Sequence, residues 1–480
     1  MDDPRTWLAL LNTAAFLLCV AFLSYVGLIT RRFVQPRRAA RTGRVDHGIH
    51  FVVPCLDEEE VVAGTVQHLV TTFPGATVWC VDDASQDGTG ELLAQAARVW
   101  PSVRVVSRRP PEARQGKGAA LNAAWRAIDA ELGPEVDRSR VLVGVVDADA
   151  RLDPACLAVV CGPELFGDPT VSAVQVQVRV VEDVDALTST CPLALVDTAD
   201  PSGDRLLVQL QDLEFTGPIA AMQTLRRATG SVGMGGNGQF TRLSTLDRIA
   251  VEHDVPWHGA LLEDFELGLH VLLTGGRTEY TDDTFVAQTG LLAVRPLLRQ
   301  RSRWAQGGIQ CSRYWWRVVT SPVVPLTAAL EITYYLAVPW SQLVGTLVFP
   351  AAIAADLHYA ATTAGGAAGW WLSGAWGLLP LALVFGVVPH VMWGPLYRHA
   401  SGGHVSRRRA LALGLANAAY AYLLQAAVWW AFWRVLRGRH DWKKTERTTA
   451  RSAPRTAEPA PPAPPVRVPA TAGATPGAQR

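Results

Sequence analysis

An uncharged stretch near the N-terminus limits what this chain can fold into more than any other feature. It runs from Trp7 to Ile29 as WLALLNTAAFLLCVAFLSYVGLI. A run of this length can cross a bilayer core of roughly 30 Å as a helix, and it lacks the cleavage pattern of a signal peptide. We therefore predict a retained transmembrane helix over residues 6–30.

The charges on either side of this helix predict its orientation. Asp2 and Asp3 precede it, whereas six arginines fall between residues 31 and 44. Basic segments stay on the cytosolic side of a membrane. We therefore expect the N-terminus outside, the following domain in the cytosol, and the chain as a whole to be an integral protein of the plasma membrane.

Three further apolar blocks occupy the C-terminal third, at 326–355, 370–397 and 409–433. They predict about three more transmembrane helices within 326–436, with proline tolerated inside them. The last block lies between two basic segments that both favour the cytosol. Either one block lies in the membrane interface or one contains a re-entrant turn, and the sequence leaves both possibilities open.

Composition agrees with a membrane protein, since 49% of residues are apolar and only 18% are charged. The seven cysteines show no C-x-x-C spacing, which makes a disulfide framework or a zinc-finger site improbable. Residues 437–449 are predicted to form a basic cytosolic segment. Residues 450–480 are rich in proline and alanine, and we predict a disordered tail there.

Between the first and second apolar blocks, short apolar runs alternate with helical stretches. The clearest alternation covers residues 49–181, and it predicts an α/β domain with a mostly parallel sheet. Ligands bind such sheets at the carboxyl ends of the strands. We therefore place the candidate site where these strands end.

Four consecutive strand ends carry a turn-forming proline, acids or a lysine: Pro54 with Glu58, Asp82 with Asp83, Lys117, and Asp147 with Asp149. Each acid alone is as well explained by a turn or a helix start. Residues i and i+2 of a strand share a side, so Asp147 and Asp149 are predicted to converge on one cation. Mg²⁺ or Mn²⁺ held by two carboxylates usually completes its shell with phosphate oxygens, which predicts a nucleotide diphosphate ligand.

Four motifs in order carry a resemblance to a known family: DDASQDGT (82–89), DAD (147–149), LLED (261–264) and QRSRW (300–304). The chain resembles the membrane-embedded family 2 glycosyltransferases, which include cellulose, hyaluronan and poly-N-acetylglucosamine synthases. The resemblance implies a GT-A domain, a Rossmann-like nucleotide-diphospho-sugar transferase fold, over 47–297 between the transmembrane helices. It also implies an amphipathic interfacial helix over 298–320 that carries QxxRW.

The resemblance further implies roles for individual donor-site residues. Pro54, Glu58 and Asp82 would hold the nucleoside, and Asp83 would face the uracil ring. Lys117 would lie near the phosphates, with Asp149 and Asp147 on the metal. Asp57 replaces the asparagine usual in the family.

At the acceptor side the resemblance assigns the catalytic base to Asp264, with Glu263 beside it. Arg303 would contact the diphosphate, and Gln300 and Trp304 would line the acceptor site. Leu262 replaces the threonine that usually precedes the acids. The glycine-rich stretch 230–242, with Asn237 and Gln239, reads either as an acceptor loop or as a plain flexible loop.

These expectations describe an inverting hexosyltransferase of the cell envelope that uses a UDP-sugar and Mg²⁺ or Mn²⁺. The acceptor is expected to be a growing polysaccharide or glycan, with processive synthesis. Transfer to a polyprenyl phosphate or another lipid is the alternative, and a nucleotide-binding transporter or scaffold is the alternative from a different class. The expected partners are the donor, the acceptor and the bilayer, with no nucleic acid, and accessory envelope proteins stay open.

Overall fold

The computed structural model describes residues 4–185, 203–363 and 378–439, together with 366, 368 and 371. Of the basic segment predicted over 437–449, only residues 437–439 belong to these ranges. The tail predicted over 450–480 lies outside the described residues.

Eight strands in the described ranges form one sheet. They are β1 Gly48–Cys55, β2 Thr77–Asp82, β3 Val103–Ser107, β4 Val141–Val145, β5 Ala150–Leu152, β6 Val171–Val181, β7 Gln239–Arg242 and β8 Arg277–Thr289. The helices of this part of the chain are α1 Pro4–Phe33, α2 Val62–Thr72, α3 Thr89–Val99, α4 Lys117–Glu131, α5 Cys156–Val160, α6 Gly203–Glu214, α7 Ala220–Thr229, α8 Leu243–His253 and α9 Glu263–Leu273.

Further helices follow the sheet. They are α10 Val294–Cys311, α11 Trp315–Val319, α12 Leu326–Thr363, α13 Leu378–Val391, α14 Trp393–Ala400 and α15 Arg407–Leu436. A 3₁₀ turn, Ser312–Tyr314, separates α10 from α11, so the helix predicted over 298–320 starts earlier and is broken.

The strand order is β3-β2-β1-β4-β7-β6-β8-β5. The first four strands pair in parallel, as predicted, whereas β7 runs antiparallel to both β4 and β6. The connections leave β1 and β4 in opposite directions along the sheet. Sheets of this type bind ligands in a crevice at such a reversal of strand order, so we refer to the region at the carboxyl ends of β1 and β4 as the cleft.

Alternation along the buried strands divides the core between the two faces of the sheet. Phe51 packs against Leu69 of α2 on one face, and Val52 belongs to the core that contains Leu121 of α4 on the other. All four side chains are at most 1% exposed. Burial of each contributes about 1.5–3 kcal/mol, which fixes the sheet that carries the site.

Pro54 corrects one local prediction, because it continues β1 and does not form a turn. The carbonyl of Val52 accepts a hydrogen bond from Val146 N–H, and the ladder between β1 and β4 ends there. Pro54 is two residues further along β1, so its backbone nitrogen faces the same side of the strand, toward β4. The β1–β4 ladder has already ended at this point, so the N–H that proline lacks would have had no strand partner.

Three helices among the described residues are long and apolar enough to cross a membrane: Ala9–Phe33, Leu326–Tyr359 and Arg407–Leu436. The predicted block 370–397 contributes α13, of which 14 residues are described. The apolar helices are thus consistent with membrane association on both sides of the α/β domain in sequence.

The first turns of α12 pack on the α/β domain. Ile332 and Leu336 share a buried cluster with Phe265 of α9. Beside this cluster, Glu331 accepts hydrogen bonds from Arg226 of α7 at 2.8 Å and from Tyr25 of α1 at 3.0 Å. This buried ion pair, with both side chains 3% exposed, ties two apolar helices to the domain.

Helix α15 is continuous over its 30 residues, so the last apolar block contains no re-entrant turn. Near its start Arg409 donates to Gln209 of α6. Near its end the Arg434 Nε donates to Gln306 of α10 at 2.9 Å. Both ends of α15 therefore contact helices that connect directly to the α/β domain.

Candidate active site

The loops that follow β1 and β2 are joined by hydrogen bonds. The Asp57 carboxylate accepts from Gln86 N–H at 2.7 Å, and Ser85 Oγ accepts from Asp57 N–H at 3.0 Å. Thr89 Oγ1 accepts from Glu58 N–H at 2.7 Å. The acidic stretch after β1 is thus built into one wall of the cleft together with the loop after β2.

The two aspartates at the end of β2 have different surroundings. Asp82 accepts from Ser85 N–H at 3.0 Å. Asp83 is 4% exposed and forms an ion pair with Arg108, a residue that the sequence analysis missed. Burial raises the pKa of Asp83, although Arg108 and Arg114 oppose the shift.

A lysine bridges the metal motif and the glycine-rich stretch. Lys117 Nζ, at the first position of α4, donates to Asp147 at 2.6 Å and to the carbonyl of Gly236 at 2.6 Å. Burial lowers the pKa of Lys117, but the carboxylates of Asp147 and Glu263 outweigh it and raise the pKa overall. Lys117 is therefore a fixed positive charge in the cleft.

Asp147 and Asp149 were predicted to share one side of a strand, but β4 ends at Val145 and neither residue belongs to it. The two residues lie in a turn in which Asp147 C=O accepts from Ala150 N–H at 3.0 Å. The Asp147 side chain is 32% exposed and Asp149 is buried. Two carboxylates on one turn are suitable oxygen donors for Mg²⁺ or Mn²⁺, so the donor set fits a hard divalent cation.

Asp153, the third acid of this stretch, caps the next turn. Its carboxylate accepts from Ala155 N–H at 3.0 Å and from Thr284 Oγ1 at 3.1 Å. It therefore has a structural role.

Asp264 lies in the first turn of α9 and is 8% exposed. Burial raises the pKa of its carboxyl to about 7, helped by the charge of Glu263 and opposed by Lys117. Burial also raises the pKa of Glu263. A Cβ atom placed on Gly236 would lie 3.0 Å from both Asp264 Oδ2 and Lys117 Nζ, so a side chain at this position would displace the acid or the lysine by a few tenths of an ångström.

Helix α10 adds the arginine of the QxxRW motif. Burial lowers the pKa of Arg303, and the carboxylates of Glu263, Asp147 and Asp264 oppose that shift. The guanidinium is thus within electrostatic range of all three acids. The structure therefore brings Lys117 and Arg303 together with the three carboxylates.

The rest of the motif differs from a simple surface helix. Arg301, in the helix predicted to lie at the membrane interface, is buried in an ion pair with Glu214 at 2.6 Å. Its guanidinium lies 4.0 Å from the Trp304 ring centroid. Gln300 accepts a hydrogen bond from Arg301. The Arg301–Glu214 ion pair therefore helps to fix Gln300 and Trp304, which were predicted to line the binding site of the sugar acceptor. By contrast, Trp316 on α11 is 65% exposed, as expected at an interface.

The glycine-rich stretch is more ordered than predicted. Gln239 lies in β7 and is 1% exposed, and Asn237 is 4% exposed. Asn237 accepts from Asp147 N–H at 3.2 Å and donates to Gln288 at 3.0 Å. These positions are at odds with direct contact to an acceptor, and Asn237 instead positions the metal-motif turn.

Contacts between α10 and the loop before Asp264 were missed by the sequence analysis. Gln310 accepts from Leu261 N–H at 2.9 Å. A Cβ atom on Gly307 would lie 2.6 Å from Leu262 N, so glycine permits the close approach. The Gly307–Gly308 pair inside a helical pattern was the available signal.

Comparison with known proteins gives three results of different weight. The family model described as "Glycosyltransferase like family 2" matches residues 47–307, more than half of the chain. A β-monoglucosyldiacylglycerol synthase from Synechocystis sp. is 28% identical over 277 residues, which is 57% of this chain and 50% of that protein. A protein of the same name from Nostoc sp. is 26% identical over 60% of this chain and 54% of its own length. The chain thus spans about half the length of these curated relatives.

A solved structure supports the fold. A mannosyltransferase from Pyrobaculum calidifontis, in complex with GDP-Man and Mn²⁺, aligns with a TM-score of 0.55 at 16% identity, covering 91% of this chain and all of that one. At this identity the likeness is evidence of a shared fold alone, and it confirms the predicted GT-A class with flanking apolar helices. With more than half of its length matched by the family model, the chain belongs to the family 2 glycosyltransferases.

Proposed function

We propose that this protein is an inverting glycosyltransferase that transfers a hexose from a UDP-sugar to a lipid hydroxyl at the cytosolic face of the plasma membrane. The observation that carries the proposal is the buried Asp264, with a pKa raised to about 7, next to Lys117 and Gly236. A buried acid with this pKa beside a fixed positive charge supports the assignment of a base that works at neutral pH.

The reaction needs proton removal from the acceptor as its oxygen attacks the anomeric carbon. Asp264 is the candidate base, because a carboxylate with a pKa near the working pH is most effective in proton transfer. The neighbouring carboxylate of Glu263 contributes to the raised pKa of Asp264. We therefore assign Asp264 the proton transfer and Glu263 an electrostatic role.

The opposite side of the site faces the leaving diphosphate. Arg303 and Lys117 carry the positive charge there, and an arginine donates charge-assisted hydrogen bonds to phosphate oxygens. Asp147 and Asp149 would hold Mg²⁺ or Mn²⁺, which when bound supplies further positive charge to the diphosphate. The wall formed by Asp57, Asp82 and Asp83 is assigned to the nucleoside.

The surroundings of the base favour a lipid acceptor over a growing polysaccharide. Phe265, the residue after Asp264, packs against Ile332 and Leu336 of α12. The base therefore lies directly beside an apolar helix long enough to cross a membrane. The relatives named as β-monoglucosyldiacylglycerol synthases act, by that name, on a glyceride lipid, and we extend this acceptor class to the present chain.

The membrane orientation is proposed from the charges and aromatic residues. Arginines follow α1, and Trp315 and Trp316 of α11 are exposed. Tryptophan favours the membrane interface, and basic segments favour the cytosolic side. The catalytic domain would then take its donor from the cytosol and its acceptor from the inner leaflet.

The test uses the full chain in detergent or nanodiscs with diacylglycerol and Mn²⁺. UDP-glucose, UDP-galactose, UDP-N-acetylglucosamine and GDP-mannose are compared for nucleoside diphosphate release, and lipid products are identified by mass spectrometry. The proposal predicts a diacylglycerol that carries one sugar or very few. A water-soluble polymer independent of lipid would refute the lipid acceptor and support processive synthesis, and binding of donors without any transfer would refute the enzyme.

A further inference from the structure

Three histidines outside the active site converge on one point. His253 ends α8, His258 lies in the loop before α9, and His270 lies in α9. One ring nitrogen from each lies within 4.8 Å of the other two. The ring centroids are 4.4–5.1 Å apart, so the three rings surround a common space.

The hydrogen bonds of these rings show which nitrogens are free. His258 Nε2 lies 2.9 Å from the carbonyl of Val255, and as donor there it leaves Nδ1 with a lone pair. His270 Nδ1 and His253 Nε2 are buried and have no hydrogen-bond partner among the described residues. Buried polar atoms without partners are rare in native proteins, and here two of them belong to one cluster.

The second nitrogen of His270 is linked through a tyrosine hydroxyl to a buried carboxylate. His270 Nε2 lies 3.1 Å from Tyr314 Oη, which donates to the Glu266 carboxylate at 2.7 Å. Glu266 is fully buried and also accepts from Ala260 N–H at 3.0 Å. A hydrogen-bonded chain of this kind fixes the tautomer and orientation of a ligating histidine.

The ionisation of the cluster also suits a metal. Burial and, less strongly, the charges of His258, His253, Arg317 and Arg313 together lower the pKa of His270 to about 3. Glu252, with an oxygen 3.8 Å from His253 Nε2, is positioned to offset the positive charge.

We propose that His253, His258 and His270 form a binding site for a divalent transition metal, with Zn²⁺ as the preferred ion. Three imidazoles with an open fourth position match the ligand number and type that zinc accepts. Zn–N bonds of about 2.0–2.1 Å require the rings to move slightly closer together. The nitrogen donors separate this site from the carboxylates of Asp147 and Asp149, which suit Mg²⁺ or Mn²⁺.

The position of the site gives the metal a structural effect on catalysis. The loop between α8 and α9 leads directly to Asp264. The same loop contacts α4, because Trp257 exchanges hydrogen bonds of 2.7 Å and 3.1 Å with Asn122. A metal that joins the end of α8, this loop and α9 would hold Asp264 and the start of α4 in one arrangement.

The experiment uses the full chain in detergent with Asp149→Asn as the background, so that the carboxylate site contributes little. After chelation and dialysis, ZnCl₂ is titrated calorimetrically, and bound zinc is counted by mass spectrometry. We compare His258→Gln with His404→Gln, which changes an exposed histidine between α14 and α15. Circular dichroism and the thermal midpoint report whether each variant folds.

One Zn²⁺ per chain is expected in the background protein and in His404→Gln. His258→Gln should weaken Zn²⁺ binding at least about 100-fold, and Tyr314→Phe about 10-fold, as outer-shell changes typically do. Equal zinc binding in His258→Gln and His404→Gln would mean an adventitious ion only and would overturn the proposal. If His258→Gln does not fold, the Asp149→Asn background protein decides: ZnCl₂ but not MgCl₂ should raise its melting temperature, and no rise would equally overturn the proposal.

Discussion

Asp264→Asn tests the base assignment through both stability and activity. The ordinary pKa of this carboxyl is 3.8, and burial raises it to about 7. At about 1.4 kcal/mol per pKa unit, a shift of roughly three units makes the ionised carboxyl cost the folded state about 4 kcal/mol. A neutral asparagine of nearly the same size avoids this cost.

The sign of the pH dependence follows from the raised pKa. Because the folded state holds the Asp264 proton more tightly than the unfolded state does, the cost is absent below about pH 4 and complete above about pH 7. Asp264→Asn should therefore be more stable than the wild type by up to about 4 kcal/mol at pH 8, and by less than about 2 kcal/mol at pH 5. Denaturation in detergent without added metal, at both pH values, measures the difference.

The same substitution should remove turnover and leave donor binding intact. Loss of a general base typically lowers kcat by 10²–10⁴-fold, while calorimetric binding of UDP should change less than about threefold because Asp264 is assigned to the acceptor side. Wild-type kcat should fall below about pH 7 as the base is protonated. Asp129→Asn, at a side chain that is 56% exposed, is the matched control and should change none of these quantities. Full turnover in Asp264→Asn, or a lower stability at pH 8 than at pH 5 relative to wild type, would refute the reasoning.

Three further variants test other parts of the structure. Asp149→Asn should abolish the Mn²⁺-dependent part of UDP affinity, seen by calorimetry with and without Mn²⁺, and an unchanged Mn²⁺ effect would contradict the metal assignment. Glu331→Gln should destabilise the protein by about 3–5 kcal/mol, because it leaves the buried charge of Arg226 without its carboxylate, and denaturation of the double variant with Arg226→Met should recover part of that loss. Gly236→Ala should lower kcat at least about 10-fold, because the added methyl group would move Asp264 and Lys117 on either side of it. A normal kcat would show that a glycine is not needed at this position.

The sequence predicted the parallel half of the sheet because its signals are local. Apolar runs that alternate with helical stretches specify β1 to β4 without reference to distant residues. The short antiparallel strand β7 was missed because only four residues form it, at the end of a glycine-rich stretch that reads as a loop. Pairing with β4 and β6 on both sides compensates for that weak local signal.

The site was predictable in residue type more than in arrangement. The acids and Lys117 were found because they follow strand ends, and the motifs of α9 and α10 were found by resemblance. The partner of Arg301 was not predictable, since Glu214 lies 87 residues away and no local pattern joins the two. For the same reason the histidine cluster was invisible, because its third member comes from the next helix.

The packing of α12 against α9 has a consequence for how this enzyme can be divided. Ile332 and Leu336 complete a hydrophobic cluster that includes Phe265, and Glu331 neutralises Arg226 beside it. Cutting the chain before α12 would expose this apolar surface to water and leave Arg226 without its carboxylate, next to Asp264. The α/β domain is therefore not a separable module with an added anchor, since the surface beside Asp264 is completed only by a helix long and apolar enough to cross a membrane.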